Sequence, residues 1–150
     1  MAYKELIKKL PYTHPFLFVD ELTHVNENGT TGTFTFNADL DFYKGHFINN
    51  PVTPGVILTE CCAQIGLVCL GIYLLQEEVS TPIENLTIGF TSSKMDFLLP
   101  VFPGEKVTVI SKKVYFRFNK LRCEVKMLNQ QEKEVCKGTM DGMIIANKNE

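Results

Sequence analysis

Two residues of the sequence are suited to acid–base chemistry. His46 lies in a Gly-His-Phe segment, and Glu60 lies inside a long apolar segment a short distance downstream. Histidine is the usual general base near neutral pH. A carboxylate among apolar residues is costly unless it has a partner or a chemical role, and burial raises the pKa of a carboxyl group. The pair therefore predicts a functional site, formed where the loop of His46 folds back towards Glu60.

The apolar segment that carries Glu60 predicts a long helix. From Val56 to Leu75 the apolar run is almost unbroken, which indicates a helix buried on nearly all sides. Thr53 can cap this helix, and Pro54 suits its first position. Because Gln64 lies four residues after Glu60, the two share one face of the helix. Gln64 is therefore placed to orient the carboxyl group.

This segment is also long enough to span a membrane. The two polar side chains within it, and the strand-like segments on both sides, favour a buried core helix instead.

At the N-terminus, apolar residues alternate with charged ones, which predicts a short amphipathic helix and no signal peptide. The chain has five cysteines without Cys-x-x-Cys spacing, which favours a reducing, cytoplasmic location, although Cys123 and Cys136 could approach one another.

Strand-like patterns lie on both sides of the predicted helix. Before it, strands are predicted at 16–25 and 30–37, and Asn26-Glu27-Asn28-Gly29 between them is a strong turn signal. Pro82 is expected to close the helical region. Beyond it the pattern becomes strand-like, with new segments beginning near residues 86, 106, 121 and 135.

The later strands carry two local features. The apolar phase changes along the segment that begins at residue 106, which predicts a bulge near Ser111. Gly138 and Gly142 would let a helix or another backbone approach the last strand closely. One long buried helix with about six strands predicts a single α+β domain, 1–150, in which the sheet curls round the helix.

The composition excludes few classes of function. The net charge of −2 gives no reason to expect binding to nucleic acid or to an anionic membrane. Five basic residues do cluster, which is typical of a solvated hairpin face and also fits a docking patch for an acidic partner. They are Lys112, Lys113, Arg117, Lys120 and Arg122.

The spacing of the residues around Glu60 resembles a known family. Gly-His-Phe, a short turn, Pro, two residues, Pro-Gly and then Glu five residues later is similar to the signature of the β-hydroxyacyl-acyl-carrier-protein dehydratases of fatty-acid synthesis. The residues that carry this resemblance are His46, Pro51, Pro54, Gly55, Glu60, Ala63 and Gln64. Further matches at Phe97–Gly104, Leu10-Pro11 and Pro15–Asp20 extend it over nearly the whole chain.

The resemblance implies the hot-dog fold, an antiparallel sheet of about six strands wrapped round one long helix. It also implies dehydration of a 3-hydroxyacyl thioester, carried on the phosphopantetheine of an acyl carrier protein, to a trans-2-enoyl thioester. His46 would be the base and Glu60 the acid, and neither a metal nor a redox cofactor is required. Four residues are expected to bind substrate: Gly55, through its backbone N–H, with Gln64, Phe47 and Val56.

The same resemblance implies an assembly. In it, the sheets of two subunits join edge to edge in a homodimer, and His46 of one subunit meets Glu60 of the other. Further association of dimers into a hexamer, a trimer of dimers, is common in this branch. Glu60 itself separates the chain from the sister branch, which has Asp there and also isomerises the double bond.

Two departures from the family pattern leave the pathway open. Ile48-Asn49-Asn50 stands where the family usually has Pro-Gly, and Leu98-Leu99 stands where it commonly has basic residues near the entrance. Polyene or polyketide-like synthesis is therefore an alternative to primary fatty-acid synthesis. A hot-dog acyl thioesterase and a non-catalytic acyl-binding module are the other hypotheses.

Overall fold

The computed structural model of the chain describes residues 2–78 and 86–146. The N-terminal part contains helix α1 (Ala2–Lys8), strands β1 (Glu21–Asn26) and β2 (Gly29–Thr35), and a 3₁₀ turn (Asp41–Lys44). The central helix follows, built from α2 (Gly55–Ala63), a π-helical turn (Gln64–Val68) and α3 (Cys69–Glu78). The last part contains β3 (Leu86–Phe97), β4 (Lys106–Arg117), β5 (Lys120–Leu128) and β6 (Glu134–Ala146). Pro82, which was expected to close the helical region, lies outside the described residues.

The described strands form one six-stranded sheet in the order β1-β2-β4-β5-β6-β3, and every neighbouring pair is antiparallel. This confirms the predicted α+β hot-dog architecture.

The first strand begins at Glu21, later than predicted. The side chain of Gln64 binds two backbone groups of the segment before Glu21. It accepts a hydrogen bond from the N–H of Phe18 (2.8 Å) and donates one to the carbonyl oxygen of Phe16 (3.0 Å). Those groups bind the helix, so the strand starts beyond them.

The central helix is enclosed by the sheet. Every residue from 61 to 70 is buried, which agrees with the apolar run in the sequence. By length and composition Gly55–Glu77 resembles a membrane span. Its most apolar 18-residue stretch has a mean hydropathy of 1.9, but 72% of that stretch is buried inside the domain. Burial on this scale identifies it as the core helix predicted from the sequence.

Small residues on the last strand allow close packing, as predicted. A Cβ added to Gly142 would lie 2.8 Å from Cδ2 of Leu67, so the helix approaches β6 directly at this point. A Cβ on Gly138 would collide with the carbonyl oxygen of Lys94 on the neighbouring strand β3. The two glycines therefore bring a helix and a backbone close to β6.

The π-helical turn is fastened to the sheet by a buried hydroxyl. Thr30 of β2 donates through Oγ1 to the carbonyl oxygen of Ile65 (2.7 Å). The same hydroxyl lies 2.8 Å from Oγ of Ser111, which also accepts from the backbone N–H of Thr30 (3.1 Å). Because a π turn disturbs the regular helical bonding, an outside donor to one of its carbonyls stabilises it. Strands β2 and β4 thus hold the helix just after Gln64.

Three local predictions were wrong in detail. Thr53 does not cap the central helix: Pro54 is the N-cap residue and makes no side-chain cap bond, and Thr53 Oγ1 lies 2.6 Å from the hydroxyl of Tyr43 instead. Pro54 therefore precedes the first helical position. The break in β4 pairing falls between Lys113 and Tyr115, while Ser111 stays in regular register opposite Val125.

The cysteine contact also differs from the prediction. All five cysteines are free and buried. Cys136 Sγ lies 3.9 Å from Sγ of Cys62 on the central helix. Cys123 lies opposite Met140, and Cys136 opposite Met127, so Cys123 and Cys136 are not cross-strand partners.

The basic cluster lies on the β4–β5 hairpin. Arg122 forms two hydrogen bonds to the carboxylate of Asp141, at 2.7 and 2.8 Å, and these hold the pKa of Asp141 below its usual value. The guanidinium of Arg117 lies 4.5 Å from the ring centroid of Tyr115. Part of this positive charge is therefore neutralised or stacked within the hairpin.

Candidate active site

The loop that carries His46 is closed by backbone hydrogen bonds. The 3₁₀ turn ends where the N–H of His46 donates to the carbonyl of Phe42 (3.0 Å). The N–H of Val52 then donates back to the carbonyl of His46 (2.9 Å). Within this loop Phe47 and Asn50 exchange two backbone bonds, at 2.9 and 3.0 Å. His46 is thus held at the neck of a closed loop.

A further bond fixes the tautomer of the imidazole. Nδ1 of His46 lies 2.8 Å from the carbonyl oxygen of Val52. A carbonyl oxygen can only accept, so Nδ1 carries the proton and Nε2 of the neutral ring has the free lone pair. The ring of Phe47 stacks on the imidazole with 3.9 Å between centroids. The half-buried imidazole of His46 therefore has a fixed orientation, with the lone pair of Nε2 free of these contacts.

Glu60 and Gln64 form a pair on the central helix. Nε2 of Gln64 donates to Oε2 of Glu60 (3.0 Å), as their spacing predicted. Gln64 is fully buried, and its remaining bonds go to the backbone of Phe16 and Phe18. No side of Gln64 is exposed, so its geometry fits an orienting residue better than the predicted direct contact with substrate. Burial raises the pKa of Glu60, and the bond from Gln64 opposes that shift.

A small apolar cavity of about 170 Å³ lies beside Glu60. Its lining residues come from the N-terminal segment, the central helix and β3, and apart from two of them they are apolar. They are Tyr12, Phe16, Glu60, Ala63, Leu67, Val68, Ile88 and Phe90. A carboxyl group at the wall of such a cavity keeps its proton to a higher pH than one in water. The cavity therefore combines a mostly apolar lining with one carboxyl group.

A second cavity, of about 290 Å³, lies at the start of the central helix. Gly55 begins α2, and a Cβ added there would lie 3.3 Å from the ring of Phe97. The first N–H groups of a helix have no partner within it, and the helix dipole favours negative charge at that end. The backbone at Gly55 is therefore suited to a thioester oxygen. Leu58, Leu98 and Leu99 also line this cavity.

A comparison with protein-family models decides the classification. Residues 10–149 match the FabA-like domain. The chain belongs to this family. The match includes the segment with His46 and the helix with Glu60, so the motif resemblance and the family model agree.

Curated relatives of this FabA-like chain are dehydratases by name. The 3-hydroxyacyl-(acyl-carrier-protein) dehydratase FabZ of Ehrlichia ruminantium (strain Welgevonden) is 40% identical over 110 residues, which is 71% of each protein. The FabZ of Sinorhizobium medicae (strain WSM419) is 30% identical over 141 residues, covering 91% of this chain and 87% of the relative. These levels of identity support the dehydratase branch of the hot-dog proteins.

Solved structures support the fold of the FabA-like chain. The dehydratase heterocomplex ApeI:P from Xenorhabdus doucetiae superposes with a TM-score of 0.77, at 12% identity, over 95% of this chain and 91% of that one. A hypothetical thioesterase with coenzyme A from Streptococcus pneumoniae TIGR4 gives 0.60, at 15% identity, over 86% and 88%. Likeness at such low identity shows the hot-dog fold alone.

The predicted site residues of the FabA-like chain fall into separate groups. Within the described residues no hydrogen bond joins His46 to Glu60, and His46 does not line the cavity beside Glu60. Two predicted substrate contacts lie at the surface, since Phe47 is 54% exposed and Val56 is 76% exposed. A single chain therefore holds His46 and Glu60 in different settings.

Two contributors were missed from the sequence. The carbonyl of Val52 orients His46, and a backbone acceptor leaves no mark in side-chain identity. Tyr12 lines the cavity of Glu60 although it lies far from it along the chain. Only the wrapping of the N-terminal segment over the helix brings Tyr12 to the site.

Proposed function

We infer that this protein dehydrates 3-hydroxyacyl thioesters, carried by acyl carrier protein, to trans-2-enoyl thioesters in fatty-acid synthesis. The FabA-like family match and the FabZ relatives support this reaction. The single observation in the site that favours it most is the half-buried carboxyl of Glu60, which accepts a hydrogen bond from Gln64 and whose pKa is raised by burial. As part of the same proposal, the reaction takes place in the cytoplasm.

We propose the following roles for the site residues. Nε2 of His46 takes a proton from C2 of the substrate. The negative charge that develops on the thioester oxygen is stabilised by the backbone N–H of Gly55 at the helix N-terminus. The bond between C3 and its hydroxyl then breaks, and Glu60 gives its proton to the departing oxygen, which leaves as water. The electron pair of the C2–H bond becomes the new double bond.

A single assay separates the three functional hypotheses. The protein is incubated with a trans-2-enoyl thioester, and two products are followed: the 3-hydroxyacyl thioester and the free thiol. A dehydratase run in reverse forms the hydroxyl product, whereas a thioesterase releases thiol and an acyl-binding module does neither. We expect hydration without thiol release. Release of thiol as the main reaction would overturn the proposed function.

We propose further that the active protein is a homodimer, in which each site takes His46 from one subunit and Glu60 from the other. The separate settings of these residues in one chain support this. Strand β3 is an edge strand of twelve residues, and an open edge of that length needs pairing or protection. Phe90 and Phe97 on β3 are 45% and 51% exposed. A two-fold contact along β3 would cover the β3 edge of both subunits at once.

Complementation tests the shared site. His46→Ala and Glu60→Gln chains, each inactive alone, are mixed in equal amounts under conditions that exchange subunits. Random pairing makes half of the dimers mixed, and one of the two sites in each mixed dimer has both native residues. Activity should return to about a quarter of the wild-type value.

Native mass spectrometry provides the control by showing that mixed dimers form. If mixed dimers are present and no activity returns, both residues belong to the site of one chain and the assembly model is wrong. The same spectra show whether dimers associate further into the hexamer that the family resemblance implies.

A further inference from the structure

The cavity beside Glu60 is lined by a second residue with a polar group, Tyr12, whose side chain ends in a hydroxyl. Tyr12 and Glu60 are the two lining residues with a polar side chain; the other six are apolar. Glu60 already has a role in the proposed reaction, as the acid that protonates the departing oxygen. Tyr12 has no assigned role.

The segment that carries Tyr12 is held by the same residue that orients Glu60. Tyr12 packs against Phe16 with 6.2 Å between ring centroids, and Phe16 packs against Phe18 with 5.1 Å. Gln64 binds the backbone of both phenylalanines and also donates to Glu60. One buried amide thus joins the segment of Phe16, against which Tyr12 packs, to the turn of the helix that carries Glu60.

The hydroxyl of Tyr12 is available as a donor. It makes no hydrogen bond to the protein in the part of the chain that the structure describes. Burial, and then the charge of Glu60, raise the pKa of Tyr12 to about 12, so the phenol keeps its proton at neutral pH. An unused donor at the wall of an apolar cavity is suited to a polar atom of a ligand.

We propose that the hydroxyl of Tyr12 donates a hydrogen bond to the 3-hydroxyl oxygen of the substrate and so selects 3-hydroxyacyl chains. This inference rests on the proposed function. A hydroxyl oxygen has two lone pairs, so it accepts from Tyr12 and from protonated Glu60 together. When the C3–O bond breaks, the departing water keeps the hydrogen bond from Tyr12. Gly55 holds the thioester oxygen elsewhere, and the 3-hydroxyl is the polar atom that enters this cavity.

Tyr12→Phe removes the donor and keeps the ring. Binding is measured in the full-length His46→Ala protein, which does not turn the ligand over. Two pantetheine thioesters of equal chain length are compared, one 3-hydroxyacyl and one saturated acyl. We expect Tyr12→Phe to weaken binding of the 3-hydroxyacyl thioester roughly tenfold, the effect of one lost hydrogen bond, and to leave the saturated thioester unchanged.

Tyr3→Phe is the matched control, because Tyr3 is half-buried against the core and does not line the cavity. It should change the binding of neither ligand. Equal weakening of both ligands by Tyr12→Phe would mean that Tyr12 only shapes the cavity, and no weakening of either would mean that it does not touch the hydroxyl; each result overturns the inference. Hydration of an enoyl thioester by the wild-type protein tests the proposed function separately.

Discussion

His46→Ala should abolish both hydration and dehydration. The substitution removes the only group that we assign to proton removal at C2, and loss of a general base lowers turnover by about 10²–10⁴-fold. The fold should survive, because the loop stays closed by the bond from the N–H of Val52 to the carbonyl of residue 46 and by the exchange between Phe47 and Asn50. Rates with a trans-2-enoyl thioester, measured beside a thermal melt, give the answer.

Two further variants make this test specific. Asn at position 46 has a side-chain amide that can replace Nδ1–H as a donor to Val52, but it has no basic nitrogen. His46→Asn should therefore be as inactive as His46→Ala while its melting temperature lies nearer that of the wild type. His24→Ala is the matched control, since His24 is an exposed histidine on β1. Substantial turnover by a folded His46 variant would remove this residue from the mechanism.

The elements of the fold that depend on local pattern were predicted correctly. The apolar run from Val56 to Leu75 is one continuous helix within Gly55–Glu78, and strands follow it wherever apolar residues alternate. The pair Glu60 and Gln64 was predicted from their spacing alone, and the bond between them is present. These features are local, because helical periodicity places such residues together whatever the rest of the chain does.

The features that were missed depend on contacts between distant segments. The π-helical turn is held by Thr30, which reaches Ile65 from another element. Thr53 is a residue type that often caps a helix, yet its hydroxyl is hydrogen-bonded to the hydroxyl of Tyr43 instead. The early residues of the first predicted strand bind Gln64 instead of a neighbouring strand. In each case a hydrogen bond to a residue ten or more positions away overrides a local preference, and the local sequence pattern does not reveal that bond.

The setting of Glu60 links its chemistry to pH. Because burial raises the pKa of this carboxyl, the protonated form persists to higher pH than for an exposed glutamate. The dehydration rate that depends on this acid should fall as the pH rises through that raised pKa. The charged form is also disfavoured in the folded protein, so the wild type should lose stability as the pH rises from the pKa of Glu60 in the unfolded chain to its raised pKa in the folded protein.

Glu60→Gln should lower turnover by about 10²–10⁴-fold, because the amide keeps the shape of the side chain but cannot give a carboxyl proton. The amide oxygen can still accept from Nε2 of Gln64, so the helix should keep its local geometry. At neutral pH the melting temperature of the variant should equal or exceed that of the wild type, and this difference should vanish in acid, where Glu60 is protonated in both the folded and unfolded states. Melting curves and rates are measured across the same range of pH, with Glu77→Gln, an exposed position late in the same helix, as the matched control. Full activity of Glu60→Gln would show that the carboxyl is structural. If the melting temperature of Glu60→Gln depends on pH in the same way as that of the wild type, Glu60 is not the group whose titration changes stability.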